Sequence, residues 1–396
     1  MELVGERAVK LMLPEHLGKL VTDTIPQSEI LNTEDKRSSV VVYWGLDEMT
    51  QINKLMRLKE NLPSPMRRDY SYPGLYKPFD HQAVTAEFLS INEKAFCFNE
   101  AGTGKTSSAL WAADYLIQQG KIKKVLIICP LSIMYSAWQG DVFNTCMHRS
   151  SVVCHGPAHK RKAIIEGDYD FTIINYDGVN IVKDEIKDAD YDLIIIDECN
   201  AYKSHTTVRW KTLNKILNPK TRVWMMTGTP ASQSPMDAFG IAKLICPNRI
   251  PKLSAAWREK VMYQVSRFKW LPRPKAKDYV FQALQPAIRF AKDQCLDLPA
   301  VMYQTRVVPL TKQVEKFYRQ QTIKFDVKPR LNALMEVLEE TDNKVLIFVP
   351  YRHTITFLSE FLDSKNITNE VINGDVSANQ RASIINRFQN QDEPKV

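Results

Sequence analysis

The sequence has no C-x-x-C pair, no long apolar run, no leader-like start and no internal repeat, and each absence narrows what the chain can be. Its seven cysteines (Cys97, Cys129, Cys146, Cys154, Cys199, Cys246 and Cys295) are scattered and odd in number, several of them inside apolar runs. They are expected to be reduced core thiols, not a disulfide frame or a zinc site. The longest apolar runs, at 125–129 and 193–196, fall far short of the roughly 18 residues of a membrane span. Glu2, Glu6, Arg7 and Lys10 break up the N-terminus, where a secretion signal needs an apolar core. The expectation is a cytosolic protein without membrane contact, in the host cytoplasm if its source is viral. Composition is also unbiased. With 44% hydrophobic and 25% charged residues, collagen-like, low-complexity and wholly disordered chains are excluded. Nor does one sign of charge dominate: a net charge of +8 allows an anionic partner without requiring one. At about 150 residues per domain, 396 residues make two to three domains the prior.

What is present falls into four zones. Residues 1–72 are mixed, with a strand expected at 40–44, a helix at 47–61 and a basic, proline-bearing stretch at 62–68; this reads as a small accessory domain. Residues 73–247 alternate apolar runs (95–98, 125–129, 151–154, 171–175, 193–197, 223–227) with helix-length segments such as 106–119 and 157–166. That alternation indicates an α/β fold with a parallel sheet covered on both faces. Its ligands are then expected beyond the C-terminal ends of the strands. Residues 248–305 read as a basic linker or brace. Between 251 and 277 eight basic residues, including Arg267, Lys269 and Arg273, stand against the single acid Glu259, with Trp257, Tyr263, Phe268 and Trp270 interleaved. Such a stretch suits a groove for a phosphate backbone; a solvated face whose aromatics pack inward fits equally well. Residues 306–396 begin a second α/β unit, with strands expected at 345–349 and 369–372 and helices at 354–362 and 378–388.

The chemistry is concentrated at the ends of the apolar runs. The run at 95–98 leads into Asn99-Glu100-Ala101-Gly102-Thr103-Gly104-Lys105-Thr106 and then a helix. Strand, glycine loop, Lys-Thr and helix is the context of a P-loop. Glycines let consecutive backbone N–H groups turn inward as an anion nest, and the helix start adds its positive end. Lys105 is expected on the β- and γ-phosphates and the Thr106 hydroxyl on Mg²⁺. The run at 193–196 ends in Asp197-Glu198, which a buried parallel strand delivers to the same sheet edge. Asp197 is suited to hold Mg²⁺ and Glu198 to deprotonate the attacking water. A third run ends in Thr227-Gly228-Thr229-Pro230, either a γ-phosphate sensor or an ordinary turn. Gln82, at a helix start, is a candidate for the adenine edge or a solvent-facing amide.

Together and in this order, these elements resemble superfamily-two helicases and translocases, most closely their Swi/Snf-like branch as found in phage and bacterial DNA translocases. Asp197-Glu198-Cys199-Asn200-Ala201-Tyr202-Lys203-Ser204 is similar to that branch's Asp-Glu-x-His-x-x-Lys-Asn pattern. Cys129-Pro130-Leu131-Ser132 with Trp138, and Asn175-Tyr176-Asp177, resemble its strand-contacting motifs. Cys295-Leu296-Asp297-Leu298-Pro299-Ala300, then Leu310, Thr311 and Gln313, resemble the start of its second lobe. Val345-Leu346-Ile347-Phe348, Asn373-Gly374-Asp375, Arg381 and Phe388 resemble motifs within that lobe. The resemblance implies a RecA-like P-loop lobe, an incomplete second RecA-like lobe, and ATP hydrolysis coupled to movement along double- or single-stranded DNA. It also assigns Gln82 to adenine; Ala101, Gly102, Thr103, Gly104, Lys105 and Thr106 to phosphates and Mg²⁺; Asp197 and Glu198 to metal and water; Thr227 and Thr229 to coupling; and Pro130, Ser132 and Tyr176 to the nucleic-acid backbone.

Three departures from the pattern stand out. Asn200 replaces the usual His, and Asn99 replaces the Asp often found before the P-loop. The family's last motifs, with the arginine that reaches across the cleft, should follow Phe388, where only polar residues 389–396 remain. The expectation is a truncated sequence, or half of a split motor whose second polypeptide completes the lobe, with slow hydrolysis from this chain alone. A non-catalytic ATP- and DNA-binding module and an RNA helicase are the alternatives.

Overall fold

The computed structural model describes residues 1–56, 62–295, 302–308 and 328–396. The chain groups into two compact units, Met1–Leu298 and Pro299–Val396.

The first unit begins with a four-stranded antiparallel sheet in the order Glu2–Val4, Ala8–Pro14, Arg37–Tyr43, Ser28–Glu34. Its pleat follows the local pattern: Val9, Leu11 and Leu13 point inward while Met12 between them is exposed. Helix Glu15–Thr24 crosses it closely. A side chain on Gly18 would strike Ser38 and Val40. Of these strands only Arg37–Tyr43 was expected; Ser28–Glu34 is polar, and Ala8–Pro14 carries a lysine and an exposed Met12 among its apolar residues. The helix expected at 47–61 is described over Leu46–Leu55, and residues 57–61 lie outside the described residues.

The larger sheet has seven strands, all parallel, in the order Ala287–Ile288, Lys94–Cys97, Arg222–Met226, Leu193–Ile196, Val125–Cys129, Phe171–Asn175, Ser151–Cys154. Alternate side chains enter two cores. Ile127, Phe171 and Ile195 meet Trp111, Trp138 and Trp224 on one face. Leu126, Ile128, Ile194 and Ile196 meet Trp210, Phe239 and Trp257 on the other. Each isoleucine so buried stabilises the fold by roughly 1.5–3 kcal/mol relative to exposure. Burial on both faces is why the strands read as unbroken apolar runs. The order also sets the chemistry. The strands ending at Cys97, Met226 and Ile196 are neighbours and parallel, so the loops that follow them emerge side by side at one edge.

The seventh strand comes from the zone expected to be a basic linker. The same zone adds helix Ser254–Val261, hairpin Met262–Ser266/Lys269–Pro272 and helix Ala276–Ala283. Among the described residues no helix is long and apolar enough to cross a membrane.

The second unit contains helices Lys328–Glu339, Arg352–Ser364 and Ala378–Asn390. The strands expected at 345–349 and 369–372 are not formed: among the described residues this unit has no strand. Among the described residues, backbone hydrogen bonds join the two segments through Lys395 and Val396. Val345 N–H donates to Lys395 O (2.9 Å) and Glu370 N–H to Val396 O (3.0 Å). Two bonding residues are too few for a ladder, and Leu346 and Phe348 stay exposed. Leu296, Asp297, Leu298, Pro299, Ala300, Leu310, Thr311 and Gln313 lie outside the described residues.

Candidate nucleotide site

The phosphate loop follows strand Lys94–Cys97 and feeds helix Lys105–Gln118. Gly102 and Gly104 have φ of +82° and +77°, the left-handed region that glycine enters without a Cβ penalty. A Cβ on Gly104 would also displace the Gln82 amide from its present place against the loop. Ala101 and Gly102 are exposed, whereas Thr103 is buried and its hydroxyl donates to Glu100 O (2.8 Å). Lys105 Nζ donates to Glu100 O (3.1 Å). The Thr106 hydroxyl makes no hydrogen bond among the described residues.

Asn99 is buried at the base of this loop. Its Nδ2 donates to Thr85 Oγ1 (2.8 Å), and its Oδ1 accepts from Phe290 N–H (2.9 Å). Thr85 spends its own proton on His81 O (2.7 Å), so it needs a donor opposite. A carboxamide supplies one and a carboxylate does not, which accounts for asparagine here.

The acidic pair sits two strands away. Asp197 is buried, and both its oxygens are held: Oδ1 by Glu198 N–H (2.9 Å), Oδ2 by the Trp138 indole N–H (3.0 Å). Burial raises its pKa above the usual carboxylate range, with the indole, the Glu198 amide and the Lys105 ammonium pulling the other way. Glu198 is exposed and held at φ +45°, a left-handed conformation that costs a non-glycine residue about 1–2 kcal/mol. The turn is pinned by the Tyr176 hydroxyl, which donates to Asp197 O (2.6 Å) and lies 3.2 Å from Glu198 O.

The third loop closes the constellation. Thr227 Oγ1 donates to Glu198 Oε2 (3.1 Å) and accepts from Asn200 Nδ2 (3.1 Å). Asn200 Nδ2 also reaches Thr229 O (2.7 Å) and Thr229 Oγ1 (3.3 Å), while its buried Oδ1 has no partner among the described residues. A Cβ on Gly228 would lie 3.4 Å from Ala101 N, so this turn packs directly on the phosphate loop. The asparagine that departs from the family pattern therefore keeps a polar link from the acidic pair to the threonine loop. Buried thiols line the region, and burial raises Cys97 to about 11; it stays protonated.

Gln82 is half-buried and bonded at both ends. Its Oε1 accepts from Phe79 N–H (3.0 Å) and its Nε2 donates to Thr103 O (3.2 Å). Sequence reasoning missed its neighbour His81, whose Nε2 also donates to Thr103 O (2.9 Å); a lone histidine one residue before Gln82 carried no signal. It also missed Trp138 as the partner of Asp197, since nothing in spacing joins positions so far apart.

The candidate nucleic-acid residues divide. Pro130 and the exposed Ser132 follow strand Val125–Cys129, on the side of the acidic pair away from the phosphate loop. Tyr176 follows Phe171–Asn175 on the same side, but its hydroxyl is committed to the acidic turn. Arg267 and Lys269 are exposed at the tip of the hairpin, with Phe268 89% exposed between them. Arg273 differs: its Nε donates to Glu259 O (2.8 Å) and Met262 O (3.0 Å), bracing the hairpin base. Trp257 packs inward, its indole donating to Pro235 O (3.2 Å).

Comparison with known proteins places this geometry in context. The model of the SNF2-related domain matches residues 50–365. A Xenopus tropicalis SWI/SNF-related matrix-associated actin-dependent regulator of chromatin subfamily A-like protein 1 is 21% identical over 376 residues, covering 86% of this chain and 39% of that protein. The Bacillus subtilis (strain 168) uncharacterized ATP-dependent helicase YqhH is 24% identical over 215 residues, covering 52% of this chain and 36% of its own length. The chain thus spans well under half the length of these curated relatives. The Sulfolobus solfataricus SWI2/SNF2 ATPase core in complex with dsDNA shares the fold, with a TM-score of 0.50 and 19% identity over 82% of this chain and 78% of that one.

Proposed function

This chain belongs to the SNF2-related domain family, and from that premise we propose that it is an ATP-driven DNA translocase or helicase motor. One observation carries the reading: a glycine loop, an acidic pair and a threonine loop leave three adjacent parallel strands, and the threonine loop is hydrogen-bonded to the acidic pair and packs against the glycine loop at the sheet edge. A triphosphate fits there as an anion held by inward-turned N–H groups, a helix start and Lys105. Gln82 lies on the helix beside the loop, where its amide can exchange its protein partners for an adenine edge.

The residues present also fit a magnesium ion. The donors are oxygen only, a carboxylate at Asp197 and an unengaged hydroxyl at Thr106, which suits a hard cation completed by phosphates and water. An ion held by Asp197 and Thr106 would supply positive charge to offset the charge that develops on the phosphates. Glu198 accepts the proton of the attacking water as the water oxygen bonds to the γ-phosphorus. The bond from that phosphorus to the bridging oxygen breaks, and ADP leaves with the electron pair. Thr227 touches Glu198 and is tied through Asn200 to Thr229, so the loss of phosphate is felt in that loop. Pro130 and Ser132 are suited to contact a nucleic-acid backbone, and the Sulfolobus core, described as bound to dsDNA, supports DNA as the track.

The test is fluorescent-nucleotide binding and single-turnover hydrolysis, with duplex DNA and with RNA, for the chain and its Lys105→Ala variant. Loss of nucleotide binding in the variant, with DNA binding kept within about twofold, is expected, as is stimulation by DNA over RNA. Undiminished nucleotide binding by Lys105→Ala would overturn the assignment.

A further inference from the structure

Strand Ala287–Ile288 is short, but its pairing continues beyond it as a strap. Phe96 N–H donates to Pro286 O (3.0 Å), Phe98 N–H to Ile288 O (2.8 Å) and Glu100 N–H to Phe290 O (3.0 Å). Bonds return from the strap: Phe290 N–H donates to Asn99 Oδ1 (2.9 Å) and Lys292 N–H to Glu100 Oε2 (3.1 Å). The Phe290 ring meets the His81 ring edge-on at 5.9 Å. Residues 286–292 therefore track the phosphate-loop strand and then the first part of the loop itself.

This zipper sets Lys292 above the loop. A Cβ on Gly102 would lie 3.2 Å from Lys292 Cε and 3.6 Å from its Nζ. The Lys292 ammonium makes no hydrogen bond or ion pair among the described residues. Glu100, whose Oε2 accepts from the Lys292 backbone N–H, already has Arg289 3.5 Å from its other oxygen. Lys105, by contrast, is satisfied by a loop carbonyl. Lys292 is exposed, so its charge is held by water alone and is free to meet an anion brought to the Gly102 end of the loop.

We propose that Lys292 is a second phosphate-binding cation of the nucleotide site, carried to the loop by the 286–292 strap; this rests on the P-loop reading above. A lysine suits the task because its ammonium is a compact point charge on a flexible stem. The chain runs on from Lys292 through the short helix Lys292–Cys295 towards Pro299, where the second compact unit begins. The cation thus sits on the segment that links the two units in sequence.

The experiment measures the affinity of the full chain for Mg-ADP, a non-hydrolysable Mg-ATP analogue and adenosine, across a salt series, for wild type, Lys292→Ala, Lys292→Arg and Lys105→Ala. Lys292→Ala is expected to weaken both nucleotides by about 10- to 150-fold, the range of one charge-assisted contact. It should also flatten their salt dependence and leave adenosine affinity and Tm unchanged, with Lys292→Arg restoring most of the loss. Wild-type nucleotide affinity in Lys292→Ala, with binding lost in Lys105→Ala, overturns this inference and leaves the P-loop reading standing. Wild-type affinity in Lys105→Ala removes the P-loop reading itself. Equal losses for adenosine and nucleotides, or a lowered Tm, would make Lys292 a brace for the strap and overturn the inference as well.

Discussion

The phosphate edge of the parallel sheet and the basic hairpin at 262–272 both carry residues suited to anions, and they are built in opposite ways. At the edge, most of the polar groups answer to another element: Asp197 to Trp138, Glu198 to Thr227, Asn200 to Thr229, Asn99 to Thr85 and Phe290. At the hairpin tip, Arg267, Phe268 and Lys269 are open to solvent, and Arg267 rests over its neighbour's ring at 5.5 Å. Bond-breaking needs groups fixed within fractions of an ångström, and buried polar networks provide that. Attraction to a polyanion needs only charge with reach. The two regions should therefore fail differently when altered.

The largest effect is expected at the edge. Glu198→Gln keeps the shape and the hydrogen bond from Thr227 but removes the base. Single-turnover hydrolysis should fall by about 10²–10⁴-fold, with nucleotide affinity kept within about threefold. Turnover near wild type would mean that the pinned left-handed turn at Glu198 serves some other end. A smaller effect is expected at the hairpin. Arg267→Gln with Lys269→Gln should flatten the salt dependence of DNA binding by roughly 0.9 log unit per lost phosphate contact. Arg273→Gln should instead lower Tm with little change in slope, because its guanidinium braces two carbonyls. Equal salt slopes in the double variant and wild type would return the hairpin to a merely solvated face.

The same contrast explains what could be read from sequence. Buried parallel strands announce themselves: the expected runs at 125–129, 151–154 and 171–175 coincide with the observed strands residue for residue. The glycine loop and the acidic pair were legible because local chemistry fixes them. Trp138 against Asp197, and Phe290 against Asn99, were not, because a hydrogen bond across such chain separations leaves no local pattern. The N-terminal sheet hid behind polar, half-exposed strands. The extended segments at 345–349 and 369–372 misled for the reverse reason: apolar, β-branched runs signal a strand, but a strand also needs neighbours to bond with. The +7 character of 251–277 was visible, whereas the turning of Trp257 into the core and of Phe268 outward was decided by tertiary packing.

Asp141 sharpens the comparison from the other side, as a half-buried charge that belongs to neither region. It opens the short helix Gly140–Thr145, and burial alone pushes its carboxyl up to about 6. Asp197 is more deeply buried, but has an indole and an amide to hold its charge. With a folded pKa above the unfolded value, Asp141 binds its proton more tightly in the folded state. Stability therefore falls as pH rises from about 4 to about 6, and the whole penalty persists above that window. Asp141→Asn should relieve it. At pH 8 the variant should be more stable by about 1 kcal/mol, allowing for a carboxyl that is only partly closed off from water. That corresponds to a few degrees in Tm, with no gain at pH 4. If the gain is equal at both pH values, the burden at Asp141 is packing and not charge. The edge would then owe its order to its hydrogen bonds alone, without a general penalty on buried carboxylates.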